Sequence, residues 1–176
     1  MSYTTSLVYQ GSNVWFGYLR QCNASSIIAK ICSCPSLFCV ESIENKKQCD
    51  IFEREMEKRQ RVLEVLVQVN TSEEPQKGGA SISEAPSLAN YIRSNCPNLR
   101  FAGFMTIGSF ESSHVVPNPD FDRLYNIRQE WAESIGETPE VVELSMGMSE
   151  DYLSAIEQGS TSVRVGSKIF GPRIYK

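Results

Sequence analysis

Two short segments near the carboxyl end of the chain have the residue types and spacing of an anion-binding site. Ser145 ends an apolar run at 141–145, and Gly166 and Ser167 follow a second run at 161–165. Two parallel strands joined by a helix bring their carboxyl ends to the same edge, where free backbone N–H groups can meet an anion. The spacing therefore predicts a phosphate site at this edge.

The residues between the two runs predict the connecting helix. Ser149 is placed to cap it, and Glu150 and Asp151 then lie in its first turn, where the helix dipole favours negative charge. Gly159 is placed to end the helix in a left-handed turn. A strand–helix–strand unit of this kind needs further strands beside it, which the rest of the chain must supply.

Six apolar runs read as strands and alternate with helical patterns, which predicts an α/β domain with a parallel sheet. The strand at 62–69, VLEVLVQV, is apolar enough to be buried on both faces. The other predicted strands are 13–18, 37–40, 99–107, 141–145 and 161–165, and the predicted helices cover 24–32, 44–61, 84–95 and the residues from Asp120 to Ile135. Residues 1–12 carry no clear signal. A closed (β/α)8 barrel needs eight strands, and a doubly wound sheet could use six, but no GxGxxG turn and no Walker A pattern occurs.

The composition limits the class of protein. The chain has 176 residues, of which 41% are hydrophobic, and a net charge of −4. One domain over 1–176 is expected, with no general attraction to nucleic acid or to acidic membranes. No signal peptide is evident in MSYTTSLVYQGSN and the apolar runs are too short to cross a bilayer, so we expect a cytoplasmic protein.

The cysteines and the single histidine do not form a recognisable metal motif. Cys32 and Cys34 with the neighbouring cysteines could in principle bind zinc, but the spacing is irregular and no histidine lies nearby. His114 lies in a polar loop. We therefore expect no metal site and expect reduced cysteines that act as small buried hydrophobes; they are Cys22, Cys32, Cys34, Cys39, Cys49 and Cys96.

Several segments resemble the pyridoxal phosphate homeostasis protein family, a single-domain relative of the alanine racemase N-terminal barrel. LSMGMSEDYLSAIEQGSTSVRVGSKIFGPR is very similar to the family's carboxyl-terminal signature. VLVQVNTSEEPQKGG, FAGFMTIG and LFCVESIENKK resemble the segments of its fifth, sixth and fourth strands. NVWFGYLRQCN resembles a degraded third strand, whose usual form is closer to WHFIGxLQxNK.

The resemblance implies an incomplete (β/α)8 TIM-barrel-like domain with about six of its eight β/α units. It also implies binding of pyridoxal 5′-phosphate (PLP) and a role in cofactor homeostasis as a non-enzymatic carrier, whose partners would be apo-enzymes that accept the cofactor. The intact family is monomeric by this resemblance, and an oligomer or aggregate is left open for an incomplete barrel. A mitochondrial pool is left open beside the cytoplasmic one.

The resemblance also implies roles for residues at the strand ends. Ser145 would offer its hydroxyl to the phosphate, with Met146 beside it, and Gly166 and Ser167 would present backbone N–H groups. Arg164 would face the pyridine nitrogen, where a permanently charged guanidinium donates a hydrogen bond and discourages protonation of the ring. Two further candidates for the pocket wall are Asn70 and Met105.

The family's cofactor lysine lies in a first-strand pattern like AVSK, followed by FGEN in the second strand. Neither pattern occurs in the printed sequence, and the lysines at 30, 46, 47, 58 and 77 match no part of it. We therefore assign no Schiff-base lysine and expect an N-terminally truncated chain that lacks the first two strands. The alternatives to a carrier are a PLP-dependent racemase-like enzyme and a truncated isoform that no longer binds the cofactor.

Overall fold

A computed structural model describes the main chain of residues 5–10 and 13–18 and the full structure of residues 25–171. The strands are β1 (Thr5–Gln10), β2 (Asn13–Tyr18), β3 (Leu37–Ile43), β4 (Leu63–Gln68), β5 (Leu99–Met105), β6 (Glu143–Met148) and β7 (Ser162–Arg164). The helices are α1 (Ser25–Cys32), α2 (Lys46–Arg59), α3 (Ala85–Asn95), α4 (Pro119–Ser134), α5 (Tyr152–Glu157) and α6 (Ser167–Phe170). Short 3-10 turns cover Ser112–His114 and Pro139–Val141.

The strands form one sheet in the order β1-β2-β3-β4-β5-β6-β7. Strands β2 to β7 are parallel to one another, as the alternation of strands and helices predicts. Strand β1 was not predicted: it pairs antiparallel with β2, Thr5 opposite Tyr18 and Gln10 opposite Asn13. The sequence signal for this hairpin is two apolar runs separated by only two residues.

The predicted bounds of the last strands move by one to three residues. Pro139 begins a 3-10 turn that includes Val141, so β6 starts only at Glu143. The strand continues through Gly147, which has a φ of 94° and lies at a register shift between Ser145 and Met148. A Cβ at position 147 would lie 2.5 Å from the Cβ of Ala155, so only glycine lets α5 pack this closely on β6.

The predicted cap of α5 is wrong, while its predicted end is confirmed. Asp151, not Ser149, precedes the helix, and its carboxylate accepts a hydrogen bond from the Met148 N–H in a tight turn. The Ser149 hydroxyl instead accepts from the Gly166 N–H. At the other end Gly159 has a φ of 91°, and the Ser160 N–H donates to the carbonyl of Ala155, which is the Schellman arrangement.

The sheet has a large hydrophobic layer on its helix-covered face and a small one on the other face. Alternate residues of β4, such as Val65 and Val67, join the helices in the main core. The side chains of Cys39, Leu66 and Met105 form the small cluster on the opposite face, which we call the inner face. One-sided cover by helices is the arrangement of a β/α barrel wall.

Contacts across the inner face show that the sheet curls. The Ser145 hydroxyl on β6 lies 2.7 Å from a carboxylate oxygen of Glu41 on β3. In a flat sheet these strands would be three spacings apart, about 14 Å, which the two side chains could not bridge. The parallel strands therefore wrap around an interior, as expected of an incomplete barrel.

Four of the cysteines are buried and free, as predicted: Cys32, Cys39, Cys49 and Cys96. Cys34 is free but exposed, which departs from the prediction, and Cys22 lies outside the described residues. Burial raises the pKa of the Cys49 thiol to about 12. Among the described helices, none combines the length and the apolar character that a membrane span requires.

Candidate functional site

Arg164 is the central charged residue on the inner face at the carboxyl ends of the strands. Its side chain is only 5% exposed. Nη1 donates to the Ser145 hydroxyl over 2.6 Å, and Nη2 donates to the Thr106 carbonyl over 2.7 Å. The Glu41 carboxylate lies 3.9 Å from Nη1. Arg164 on β7 is therefore held by groups from β3, β6 and the end of β5.

The carbonyl that accepts from Arg164 belongs to a residue that is itself fixed. The Thr106 hydroxyl donates to the Val69 carbonyl over 3.0 Å and lies 2.8 Å from the Thr71 hydroxyl. Both threonine side chains are buried. Because buried polar groups with complete hydrogen bonding rarely rearrange, the position of the Arg164 guanidinium is well determined.

Glu41 was not among the predicted site residues. It is 4% exposed, lies within β3 and forms an ion pair with Arg164 on β7, from which three strands separate it in the sheet. Burial lowers the pKa of the Arg164 guanidinium, and the negative charges of Glu41 and then Asp151 oppose that shift. The only sequence signal was an acidic residue inside the apolar run LFCVESI, where an unpaired charge would be costly.

Ser145 has a different environment from the one predicted. The residue is fully buried, and its hydroxyl proton is donated to Glu41 while its oxygen accepts from Arg164. A serine hydroxyl has one proton to donate. In this structure Ser145 therefore links a carboxylate to a guanidinium rather than presenting a free donor to a phosphate.

The loops after β6 and β7 meet beside this network. The Gly166 N–H donates to the Ser149 hydroxyl over 3.1 Å, which joins the two loops. Among residues 25–171, no heavy atom lies within 4 Å of a Cβ placed at Gly166, so these residues leave space above the loop. Ser167 follows as the exposed first residue of α6. The N–H groups of a first helical turn have no partner within the helix.

The three remaining predicted residues lie in different surroundings. Met105 is buried in the small cluster on the inner face. Met146 is on the opposite face, in the main core, so its side chain cannot line the interior. Asn70 follows β4, and its side-chain amide donates to the Glu74 carbonyl in the same loop.

Lysines and possible metal ligands lie elsewhere in the part of the chain that the structure describes. Between residues 25 and 171, every lysine lies on a helix or in the loop after β4, and none lies on a strand. The same residues contain no group of three or more histidine, cysteine, aspartate or glutamate side chains that could hold a metal ion.

A curled parallel sheet with outer helices and a buried arginine at the strand carboxyl ends defines a β/α-barrel-type protein with its site at that edge. The profile of the family described as "Alanine racemase, N-terminal domain" matches residues 31–173. The pyridoxal phosphate homeostasis protein of Caenorhabditis elegans is 58% identical over 156 residues, which cover 86% of this chain and 64% of the relative. The chain belongs to the pyridoxal phosphate homeostasis protein family, within the wider alanine racemase N-terminal domain group.

Two solved structures show the same fold at low identity. PipY of Synechococcus elongatus with PLP bound has a TM-score of 0.67 and 19% identity, covering 88% of this chain and 69% of PipY. An alanine racemase of Clostridium difficile has a TM-score of 0.70 and 9% identity, covering 94% of this chain and 42% of the racemase. The predicted incomplete (β/α) barrel is thereby confirmed. The fold therefore occurs both in PipY and in a racemase.

Proposed function

We propose that this chain binds PLP at the carboxyl ends of β6 and β7 and serves cofactor homeostasis as a carrier rather than a catalyst. The observation that carries the proposal is the buried Arg164, which is fixed by Ser145 and Thr106 and lies two residues before the open loop at Gly166. The names of the relatives support the choice of ligand. In this proposal Gly166 and Arg164 contact different parts of PLP, the phosphate and the pyridine ring.

The phosphate would lie at the loop after β7. The open space at Gly166 lets an anion approach the main chain, and Ser167 contributes a backbone N–H from the first turn of α6. The Gly166 N–H is engaged by Ser149, so we assign to Gly166 the space rather than a donor. Ser145 stays in the proposed site as the residue that holds Arg164.

The ring would lie on the inner face with its nitrogen towards Arg164. A guanidinium has five N–H groups, and the Ser145 and Thr106 contacts use two of them. Bound PLP supplies a pyridine ring that can accept electrons from a substrate. An arginine at the ring nitrogen opposes ring protonation and so weakens this ability, which suits a carrier or a racemase better than broad carbanion chemistry. Met105 and Asn70 remain proposed as wall residues, and Met146 takes part only through its main chain.

We propose that the binding is not covalent. The lysines between residues 25 and 171 lie on helices or in the loop after β4, and none lies on a strand. Borohydride reduction of the chain soaked in PLP is therefore expected to leave the lysines unlabelled. Stoichiometric labelling of one lysine, located by mass spectrometry, would overturn this part of the proposal.

We propose that apo-enzymes receive the cofactor from this protein in the cytoplasm. A carrier needs no acid–base pair at the cofactor, and the arginine-centred network offers a fixed donor instead. The competing role is that of a racemase-like enzyme, and its support is the similarity of this fold to that of an alanine racemase. Turnover of alanine enantiomers by the purified, PLP-loaded chain would favour that role over the carrier.

The test of the proposed function compares PLP with pyridoxal, which lacks the phosphate. Calorimetric titration of the full chain is expected to show one PLP site and much weaker binding of pyridoxal, because the phosphate contacts the loop at Gly166. Equal affinity for the two ligands would contradict a phosphate-anchored site. Absence of PLP binding would favour the binding-incompetent alternative.

A further inference from the structure

We propose that Glu41 is a positioning residue for the cofactor site: it orients the Arg164 guanidinium, through the Ser145 hydroxyl, towards the place of the pyridine ring. This inference rests on the proposed function, because it assigns a role within the same site. Glu41 itself is on β3, across the barrel interior from the phosphate loops. It would act on the cofactor only through Arg164.

The direction of the hydrogen bonds indicates that Glu41 orients the Ser145 hydroxyl. A carboxylate only accepts, so the proton of the Ser145 hydroxyl must point to Glu41, at 2.7 Å. The lone pairs of the same oxygen are then available to Arg164 Nη1, at 2.6 Å. A hydroxyl without the carboxylate could rotate its proton towards the guanidinium and lose this contact. Glu41 therefore sets the polarity of the chain of hydrogen bonds.

The charges carry the second step. The Glu41 and Arg164 side chains are each 5% exposed, so little water reaches either of them. A buried guanidinium without a counter-ion would move towards solvent or to another acceptor, because desolvation of a lone charge costs several kcal/mol. The carboxylate 3.9 Å from Nη1 removes that driving force. The guanidinium can then remain on the inner face with three N–H groups free of Ser145 and Thr106.

Glu64 provides a matched control for this inference. It also lies on a strand and pairs with an arginine, Arg100 on the neighbouring β5, but the Arg100 side chain is 65% exposed. The contact joins directly opposed residues near the amino ends of β4 and β5. Glu64→Gln thus makes the same chemical change as Glu41→Gln at the other end of the strands.

The experiment compares the full chain with its Glu41→Gln and Glu64→Gln variants by PLP titration and by nitrogen NMR of arginine side chains. The Arg164 signals are assigned by their loss in Arg164→Lys. We expect Glu41→Gln to weaken PLP binding about tenfold, the size of one misplaced charge-assisted hydrogen bond. We also expect faster rotation of the Arg164 guanidinium. Glu64→Gln should change neither quantity.

A double-mutant cycle separates positioning from general loss of structure. In a Ser145→Ala background the relay is already cut, so Glu41→Gln should weaken PLP binding by much less than tenfold. Thermal unfolding reports whether each variant is folded, and Glu41→Met, which also lacks the carboxylate, replaces Glu41→Gln if the latter is not. Unchanged Arg164 signals and affinity in a folded Glu41 variant would overturn the inference.

The two proposals fail in different ways. If the unaltered chain does not bind PLP, the proposed function is wrong and the cofactor role of Glu41 falls with it. The NMR signals of the free chain then still show whether Glu41 orients Arg164. If the chain binds PLP and both glutamine variants bind equally well, only the role of Glu41 is wrong.

Discussion

Two glutamate–arginine pairs lie near opposite ends of the strands and differ in exposure and in how far apart their strands are in the sheet. Glu41 on β3 and Arg164 on β7 meet at the carboxyl ends although three strands separate theirs in the sheet. Each side chain is 5% exposed, and both contact Ser145. Glu64 and Arg100 are neighbours on adjacent strands, and Arg100 is mostly in solvent. The same two residue types thus form a fixed, buried network at one end. At the other end a mostly buried glutamate, 14% exposed, contacts an arginine that is mostly in solvent.

The difference teaches where a site is built on this fold. A solvated cross-strand pair contributes roughly 0–1 kcal/mol and constrains little. A buried pair is costly to desolvate and is therefore weak support for stability by itself. Its place on the inner face, where Ser145 and Thr106 hold the arginine, is better explained by the need for a fixed donor at the carboxyl edge, where barrel proteins bind their ligands.

The largest expected difference between the pairs is in stability after loss of the arginine. Arg164→Ala leaves the Glu41 carboxylate buried and unpaired, so we expect the free energy of unfolding to fall by about 3–5 kcal/mol. Arg100→Ala should lower it by less than about 1 kcal/mol. Urea unfolding followed by circular dichroism measures both. Equal losses would mean that the two pairs do not differ in the way described.

Alkaline pH adds a test of the main core, whose buried thiols belong to neither glutamate–arginine pair. Burial raises the pKa of Cys32 and Cys96 to about 11 and that of Cys49 to about 12, from an ordinary value of 9.0. As the pH rises, the unfolded chain therefore releases these protons before the folded chain does. The contribution of the three thiols to the free energy of unfolding is fully present below pH 9 and is lost as the pH rises above it. Each thiol removes about 1.4 kcal/mol per pH unit between its two pKa values.

The cysteine contribution has its own control in the same experiment. Cys49→Ala should reduce the alkaline slope of the unfolding free energy, whereas Cys34→Ala should leave it unchanged because Cys34 is exposed. A slope that survives loss of the buried thiols would place the alkaline sensitivity on the charged pairs instead.

The sequence predicted the parallel strands well and the network poorly, for physical reasons. Local patterns such as the run Leu63–Gln68 and the left-handed turn at Gly159 depend on neighbouring residues, so they are visible in the sequence. Glu41 and Ser145 are 104 positions apart and meet only because the sheet curls. Nothing in either segment indicates this partner, so the sequence did not predict that the Ser145 hydroxyl donates to Glu41.

The most direct test of the account is a PLP titration of the full chain alongside Arg164→Lys and Arg100→Lys. Lysine keeps the charge and loses the fork of donors, so the result depends on hydrogen-bond geometry. We expect a single site, with about tenfold weaker binding in Arg164→Lys and unchanged binding in Arg100→Lys. Equal affinity of the three proteins for PLP, or no binding by the unaltered chain, would contradict the central claim that Arg164 forms the cofactor site.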